Sequence, residues 1–366
     1  MPASAIVASS GQFRLYGNSV ETFDRLPVAT YAINFSQMTG YSLRQIEPLA
    51  PGRETVYGTH AERVRRIVRG YEVMGRSLGV ILSGDKGMGK SLMIRMLAER
   101  TRELGLPTVL VRDSTPGLVS FLDELGEALV VFDEFEKVFS IDEDEEPQNQ
   151  FLGLFDGQSS AKRLYVISVN ELEQVTDYIL NRPGRFHYHM RFAYPDPETV
   201  GRYLRDQVPG IVGTQVEEVI DFSRKYDINF DHLRAIAFEM RLGGAFSDVI
   251  GDLNIKRTRL RGDDPVQARI TWDDGDTEEI FGDIDLFDAD ALQSITGWDP
   301  HIELRFRMRD ARPSQGGYVL PADVFEIVDF RTKQQKTGAG DEDEKALGLR
   351  ATSVMLHRPQ RDSIDF

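Results

Sequence analysis

The sequence predicts an α/β fold: a parallel sheet flanked by helices, with a helical lid after it and small β-rich segments at both ends. Three observations predict this. An apolar, β-branched run from Leu78 to Leu82 passes through a glycine-rich loop into apolar positions at helical spacing (Leu92, Ile94, Met96, Leu97). Further apolar runs at Pro107–Arg112, Leu129–Phe132 and Arg163–Val169 alternate with helical stretches, the texture of a parallel sheet with crossover helices. From Asp196 the pattern turns helical, and after Ile255 it turns to short alternating strands. The expected organisation is an N-terminal β-rich segment (1–52), an α/β domain built around the glycine-rich loop (53–195), a helical lid (196–254), a C-terminal β domain (255–331) and a linker-like tail (332–366).

Residues 1 to about 12 are small and polar, a composition that favours disorder. From Phe13 to Ala50 the segments FRLY, VATYAINF and YSLRQI read as a small sheet or hairpin unit outside the α/β core. A helix is expected over His60–Val73, with Val64, Ile67 and Val68 on one stripe and Arg63, Arg65, Arg66 and Arg69 on its flanks. Those arginines read as a solvated face or, alternatively, as a contact for a neighbouring subunit or a nucleic-acid backbone. Beyond the central elements, a short helix is expected over Pro116–Leu125 and another near Asn149–Phe155, separated by an acidic loop, Asp142–Glu146. Four lid helices follow (PETVGRYLRDQV, VEEVIDFSRKY, NFDHLRAIAFEMRLG, FSDVIGDLN). The strands after Ile255 suit a small barrel or sandwich, and Ala351–His357 reads as a strand beyond the linker-like Thr332–Gly348.

The glycine-rich loop fits the phosphate-loop pattern, with Gly84, then Asp85, Lys86, Gly87 and Met88, then Gly89, Lys90, Ser91 and Leu92. Its fixed residue types occur by accident in about one chain in a hundred of this length. The strand before and the helix after make accident rarer. Glycines let successive N–H groups converge on phosphate oxygens, and the helix points its positive dipole end at them. Lys90 is placed to reach the β- and γ-phosphates of ATP, and the Ser91 hydroxyl to complete the coordination of Mg²⁺.

The run Leu129–Phe132 ends in Asp133-Glu134, which puts two carboxylates at the C-terminal end of a central strand, the edge where such sheets bind ligands. Asp133 is assigned to Mg²⁺ and Glu134 to the attacking water. Asn170, at the tip of the next strand, suits either a hydrogen bond to that water or an Asx-turn. Arg182 and Arg185 flank a Pro-Gly turn; guanidinium suits the bridging of phosphoryl oxygens, although a plain turn carries such arginines too. His187 and His189 lie two apart on one strand, with strand packing favoured over metal binding. Arg234 reads either as a γ-phosphate contact or as a surface ion-pair partner of Asp231.

The chain has 366 residues and 41% hydrophobic residues, enough for more than one core. Its 43 basic against 59 acidic residues give a net charge of −16, which argues against a general polyanion-coating surface. With no cysteine, disulfides and thiolate metal sites are excluded. No apolar run reaches bilayer length and the N-terminus lacks a secretory pattern, so a cytoplasmic protein with no membrane partner is expected.

The succession of phosphate loop, Asp-Glu strand end, strand-terminal Asn, RPGR turn and four-helix lid resembles the AAA+ ATPases over residues 56 to 254. RPGRF is similar to the narrower AAA branch. The chain also resembles bacteriophage-type AAA ATPases with a short β segment ahead of the core. The resemblance implies a Mg²⁺-dependent ATPase working as a homo-oligomeric ring, commonly hexameric, that remodels a macromolecular client. By it, Tyr57-Gly58 occupies the adenine-contacting segment, Asn170 is the first sensor, and Arg182 and Arg185 are trans-acting arginines. Three positions depart from the family: His187 stands where an acidic residue follows RPGRF, DSTPGLVSF lacks the aromatic-aliphatic-glycine signature of threading pores, and Arg234 stands where the AAA branch usually has no sensor arginine. A nucleic-acid loader or motor, using the Arg63–Arg69 helix or Lys256–Arg261, is the main alternative. A nucleotide-dependent scaffold is the second.

Overall fold

Short apolar runs, buried along their whole length, make the centre of a seven-stranded sheet. The computed structural model describes residues 5–9, 12–17, 20–52, 55–140, 148–156, 161–180, 184–253, 255, 264–298, 301–314, 317–329 and 350–358. The chain divides into two units, Met1–Phe192 and Ala193–Phe366.

In the first unit, β1 (Ala5–Ser9) and β2 (Gln12–Tyr16) pair as a hairpin of their own, so the small, polar N-terminus carries a strand. The sheet is built from β3 (Thr30–Ser36), β4 (Gly40–Ile46), β5 (Leu78–Ser83), β6 (Thr108–Val111), β7 (Leu129–Phe132), β8 (Leu164–Val169) and β9 (Phe186–Arg191). The strand order is β4-β3-β6-β7-β8-β5-β9, parallel throughout except for the β3–β4 hairpin. Helices α1 (His60–Val73), α2 (Lys90–Glu103), α3 (Leu118–Glu124), α4 (Phe135–Val138), α5 (Leu152–Phe155) and α6 (Asp177–Leu180) fill the connections. Continuous apolar strands of this kind are stable only when both faces are covered.

One expectation is corrected. The Phe13–Ala50 stretch was expected to stand outside the core, yet β3 pairs in parallel with β6 through Thr30, Tyr31 and Ala32, all buried. The reason is a long-range pairing that local alternation does not encode.

The second unit opens with α7 (Pro197–Gln207), α8 (Gly213–Lys225), α9 (Phe230–Arg241) and the single turn α10 (Phe246–Val249). Asp196 caps α7 by accepting from the Thr199 N–H at 2.7 Å, and Asn229 caps α9 through the His232 N–H at 2.8 Å. Then follow β10 (Asp264–Trp272), β11 (Thr277–Ile284), β12 (Leu292–Trp298), β13 (His301–Arg307), β14 (Arg312–Ser314), β15 (Gly317–Pro321), β16 (Phe325–Asp329) and β17 (Ala351–His357). They form a five-stranded sheet, β11-β10-β17-β15-β14, and a three-stranded sheet, β12-β13-β16, which share one core. The predicted Ala351–His357 strand is present and lies inside the larger sheet, antiparallel to both β10 and β15. The helices and β strands of this unit are tied together: Arg358 forks the Asp227 carboxylate at 2.7 and 2.9 Å, and the Tyr318 hydroxyl donates to Asp221 on α8 at 3.1 Å.

Candidate active site at the sheet edge

β5 delivers the chain to the phosphate loop. Gly84, Gly87 and Gly89 take φ values of 139°, 77° and 95°, which side chains resist. Space forbids them as well: a Cβ at Gly84 would lie 2.4 Å from the Phe192 carbonyl oxygen, and one at Gly89 would lie 2.8 Å from His60 Nε2. Helix α2 starts at Lys90, so its first N–H groups open toward the loop. Met88 is buried beneath the loop. Lys90, also buried, donates from Nζ to the carbonyls of Gly84 and Asp85 and, at 2.9 Å, to Asn170 Oδ1. Burial holds its ammonium below the ordinary range, opposed by the carboxylates of Glu136, Asp85, Asp133 and Glu134.

β7 delivers the acidic pair. Phe132 is fully buried, with edge contacts to Phe135 at 5.8 Å, Phe139 at 6.1 Å, Phe151 at 5.4 Å and Phe155 at 5.9 Å. Each buried ring contributes about 1.5–3 kcal/mol in transfer terms. Phe135 and Phe139 lie on and just after α4, so this cluster fixes the turn that carries the carboxylates. Glu134 sits at φ 51°, the left-handed region, alone in this among the described non-glycine residues. Its N–H donates to Ser168 Oγ at 2.9 Å, while that hydroxyl donates to Asp133 Oδ1 at 2.6 Å. The Glu134 carboxylate pairs with Lys137 at 2.6 Å and accepts from Asn170 Nδ2 at 3.3 Å. The lysine's hydrogen bond holds the Glu134 carboxyl below its usual range, with Asn170 adding to the effect.

The phosphate loop (Gly84–Ser91), Asp133, Glu134 and Asn170 are thus gathered at one edge of the sheet. Sequence reading missed two members. Ser168 hid inside an apolar strand. Glu136 hid in a charged-looking stretch, DEFEKV, yet is 2% exposed and accepts from the Asn170 N–H at 3.0 Å and from Asn170 Nδ2 at 2.8 Å.

Tyr57 is buried and its carbonyl meets His60 Nδ1 at 2.9 Å, while Gly58 turns the chain with φ 79° just ahead of α1. Burial lowers the His60 pKa.

Arg185 differs from the expectation of a trans-acting group. Its guanidinium is buried and joined to both oxygens of Asp156 and, at 2.6 Å, to the Tyr178 carbonyl, all within its own unit. Arg182, the acidic loop Asp142–Glu146 and Lys256–Arg261 lie outside the described residues. Arg234, on α9 of the second unit, is exposed and lies 3.3 Å from Asp231. The α1 arginines are partly committed: Arg63 stacks on Phe192 and donates to the Arg191 carbonyl at 2.9 Å, and Arg66 stacks on Tyr188. His189 Nε2 meets Ser83 Oγ at 2.7 Å, and among the described residues no cluster of three or more His, Cys, Asp or Glu is placed to hold a metal ion. No helix among them is long and apolar enough to cross a membrane.

Residues 80–194 match the family described as "ATPase family associated with various cellular activities (AAA)". The ATP-dependent zinc metalloprotease FtsH 2 of Sorangium cellulosum (strain So ce56) is 30% identical over 152 residues, 34% of this chain and 24% of that protein. The ATP-dependent zinc metalloprotease FtsH of Ralstonia pickettii (strain 12J) is 27% identical over 164 residues, 39% of this chain and 23% of its own length. This chain therefore spans about a quarter of the length of these curated relatives. A chain from the structure of the E. coli MS115-1 HORMA:CdnC:Trip13 complex superposes with a TM-score of 0.42 at 15% identity, covering 55% of this chain and 85% of that one.

Proposed function

We infer, from an AAA-family domain at residues 80–194, that this protein hydrolyses ATP in a homo-oligomeric ring, commonly hexameric, and uses the cycle to remodel a protein client. The observation that carries the reading is the convergence of three strand ends: Lys90 after β5, Glu134 after β7 and Asn170 after β8, within hydrogen-bonding reach of one another through Asn170. The loop amides and Lys90 bind the phosphates, while Tyr57 and Gly58 border the adenine. Glu134, kept ionised by Lys137 and Asn170, takes the proton of the attacking water, and the Asn170 amide orients that water. Arg182 of a neighbouring copy meets the charge developing on the γ-phosphate. Arg185, tied to Asp156, is held within its own unit and leaves that role to Arg182.

The donors fit Mg²⁺. The Asp133 carboxylate and the Ser91 hydroxyl are hard oxygen groups on exposed residues, and Ser168 pins one Asp133 oxygen, which suits an ion that takes few protein ligands and shares phosphate oxygens. Asp133 and Ser91 would hold the ion, which would supply charge neutralisation at the phosphates. Arg234, on α9, belongs to the same reading as a sensor arginine. The β1–β2 hairpin ahead of the sheet supports the bacteriophage-type likeness, and the composition supports a cytoplasmic setting. The stacking of Arg63 and Arg66 on their own unit takes support from the nucleic-acid alternative.

The test is turnover of MgATP by the purified chain. Glu134→Gln is expected to keep nucleotide affinity and lose about 10³-fold in rate, and Lys90→Ala to lose the affinity itself. Unchanged turnover in the glutamine variant would contradict the assignment.

A further inference from the structure

Glu136 is an acidic residue on a single-turn helix whose carboxylate faces inward. It is 2% exposed, and its Oε2 is buried with no hydrogen-bond partner. Burying a carboxylate with one oxygen unpaired is costly, so a group kept in this way calls for an explanation beyond packing. The other oxygen, Oε1, takes two bonds from a single residue: the Asn170 N–H at 3.0 Å and Asn170 Nδ2 at 2.8 Å. The far end of the same amide, Oδ1, accepts from Lys90 Nζ at 2.9 Å.

An asparagine side chain has two nearly isosteric ends, one donating and one accepting. An ammonium only donates and a carboxylate only accepts. Glu136 and Lys90 therefore admit one orientation of the Asn170 amide, with the N–H₂ toward the acidic turn and the oxygen toward the phosphate loop. Nδ2 also reaches Glu134 Oε1 at 3.3 Å, so the orientation set by Glu136 aims an N–H at the carboxylate assigned to the water. We propose that Glu136 is a positioning residue, whose buried carboxylate fixes which end of the Asn170 amide meets the reacting groups. This rests on the ATPase reading above and adds a residue to it.

A merely structural Glu136 would brace the α4 turn against the end of β8, and its loss would add to the loss of Asn170. A positioning Glu136 acts through Asn170, and the two losses would not add. The experiment measures MgATP turnover and the affinity for a fluorescent ADP analogue in the full chain and in Glu136→Leu, Glu136→Gln, Asn170→Ala and the double variants. Glu136→Leu is expected to lower kcat by about 10²-fold, the cost of a misplaced group near the chemistry. Nucleotide affinity should stay within about threefold, since the interaction acts on the rate and not on ground-state binding. Glu136→Gln retains an acceptor and should lose less. Adding either substitution to Asn170→Ala should lower kcat no further. If Glu136→Leu fails to fold, the isosteric glutamine variant carries the same cycle.

Turnover that is intact in the wild type and indifferent to Glu136, losses that multiply in the double variants, or affinity that falls in step with rate would each overturn the proposal. A wild type without Mg²⁺-dependent turnover would remove the ATPase reading, and this inference with it.

Discussion

Two strands of the first unit end in left-handed backbone, and they reach it by opposite means. After β5 the chain omits the side chain, with glycines at φ 139°, 77° and 95°. After β7 it keeps one, with Glu134 at φ 51°. The left-handed region costs a residue bearing Cβ about 1–2 kcal/mol. At β7 the cost is met by anchoring: Phe135 is fully buried, Phe139 nearly so, and Ser168 accepts the Glu134 N–H. On the function proposed above, the difference has a reason: where the useful group is a backbone N–H, a side chain only obstructs; where it is a carboxylate, the aromatic core has to hold the strained turn.

The sharpest way to break this comparison is Gly84→Ala, which sets a Cβ 2.4 Å from the Phe192 carbonyl oxygen. The expected loss is about 3 kcal/mol in urea denaturation, read on the first unit's transition; a loss below 1 kcal/mol would show the loop to be far more pliant than described. A smaller effect is expected for Ser168→Ala, which removes one acceptor and one donor between β7 and β8: about 2 kcal/mol, with a measurable fall in turnover because Asp133 and Glu134 lose their common partner. The smallest is expected for Glu134→Gly. Relief of the backbone and the added freedom of glycine offset each other, leaving stability within about 1 kcal/mol of wild type while turnover disappears. A large loss of stability there would mean that the Lys137 ion pair, and not the aromatic cluster, holds the turn.

What was legible in the sequence was local. The His60–Val73 helix shows its apolar stripe, the phosphate loop its glycines, and the strands before Glu134 and Asn170 their apolar runs. The residues that escaped take their roles from partners far along the chain. Nothing near Tyr31 announces β6 as its neighbour, and the central place of Ala351–His357 depends on strands more than 30 residues away. Arg185 read as an outward arginine because Asp156, which captures it, lies 29 residues earlier. Glu136 escaped notice because burial on a one-turn helix leaves no periodicity to detect.

Ser168 and Asn170 are two residues apart on one segment, and between them they touch every acid of the β7 turn: Asp133 and Glu134 through the hydroxyl, Glu134 and Glu136 through the amide. Side chains on a strand alternate sides, so both serve the turn only in one register. A single residue inserted between Leu164 and Ser168 would swing hydroxyl and amide to the opposite face together, and all three acids would lose their contacts with this strand in one step.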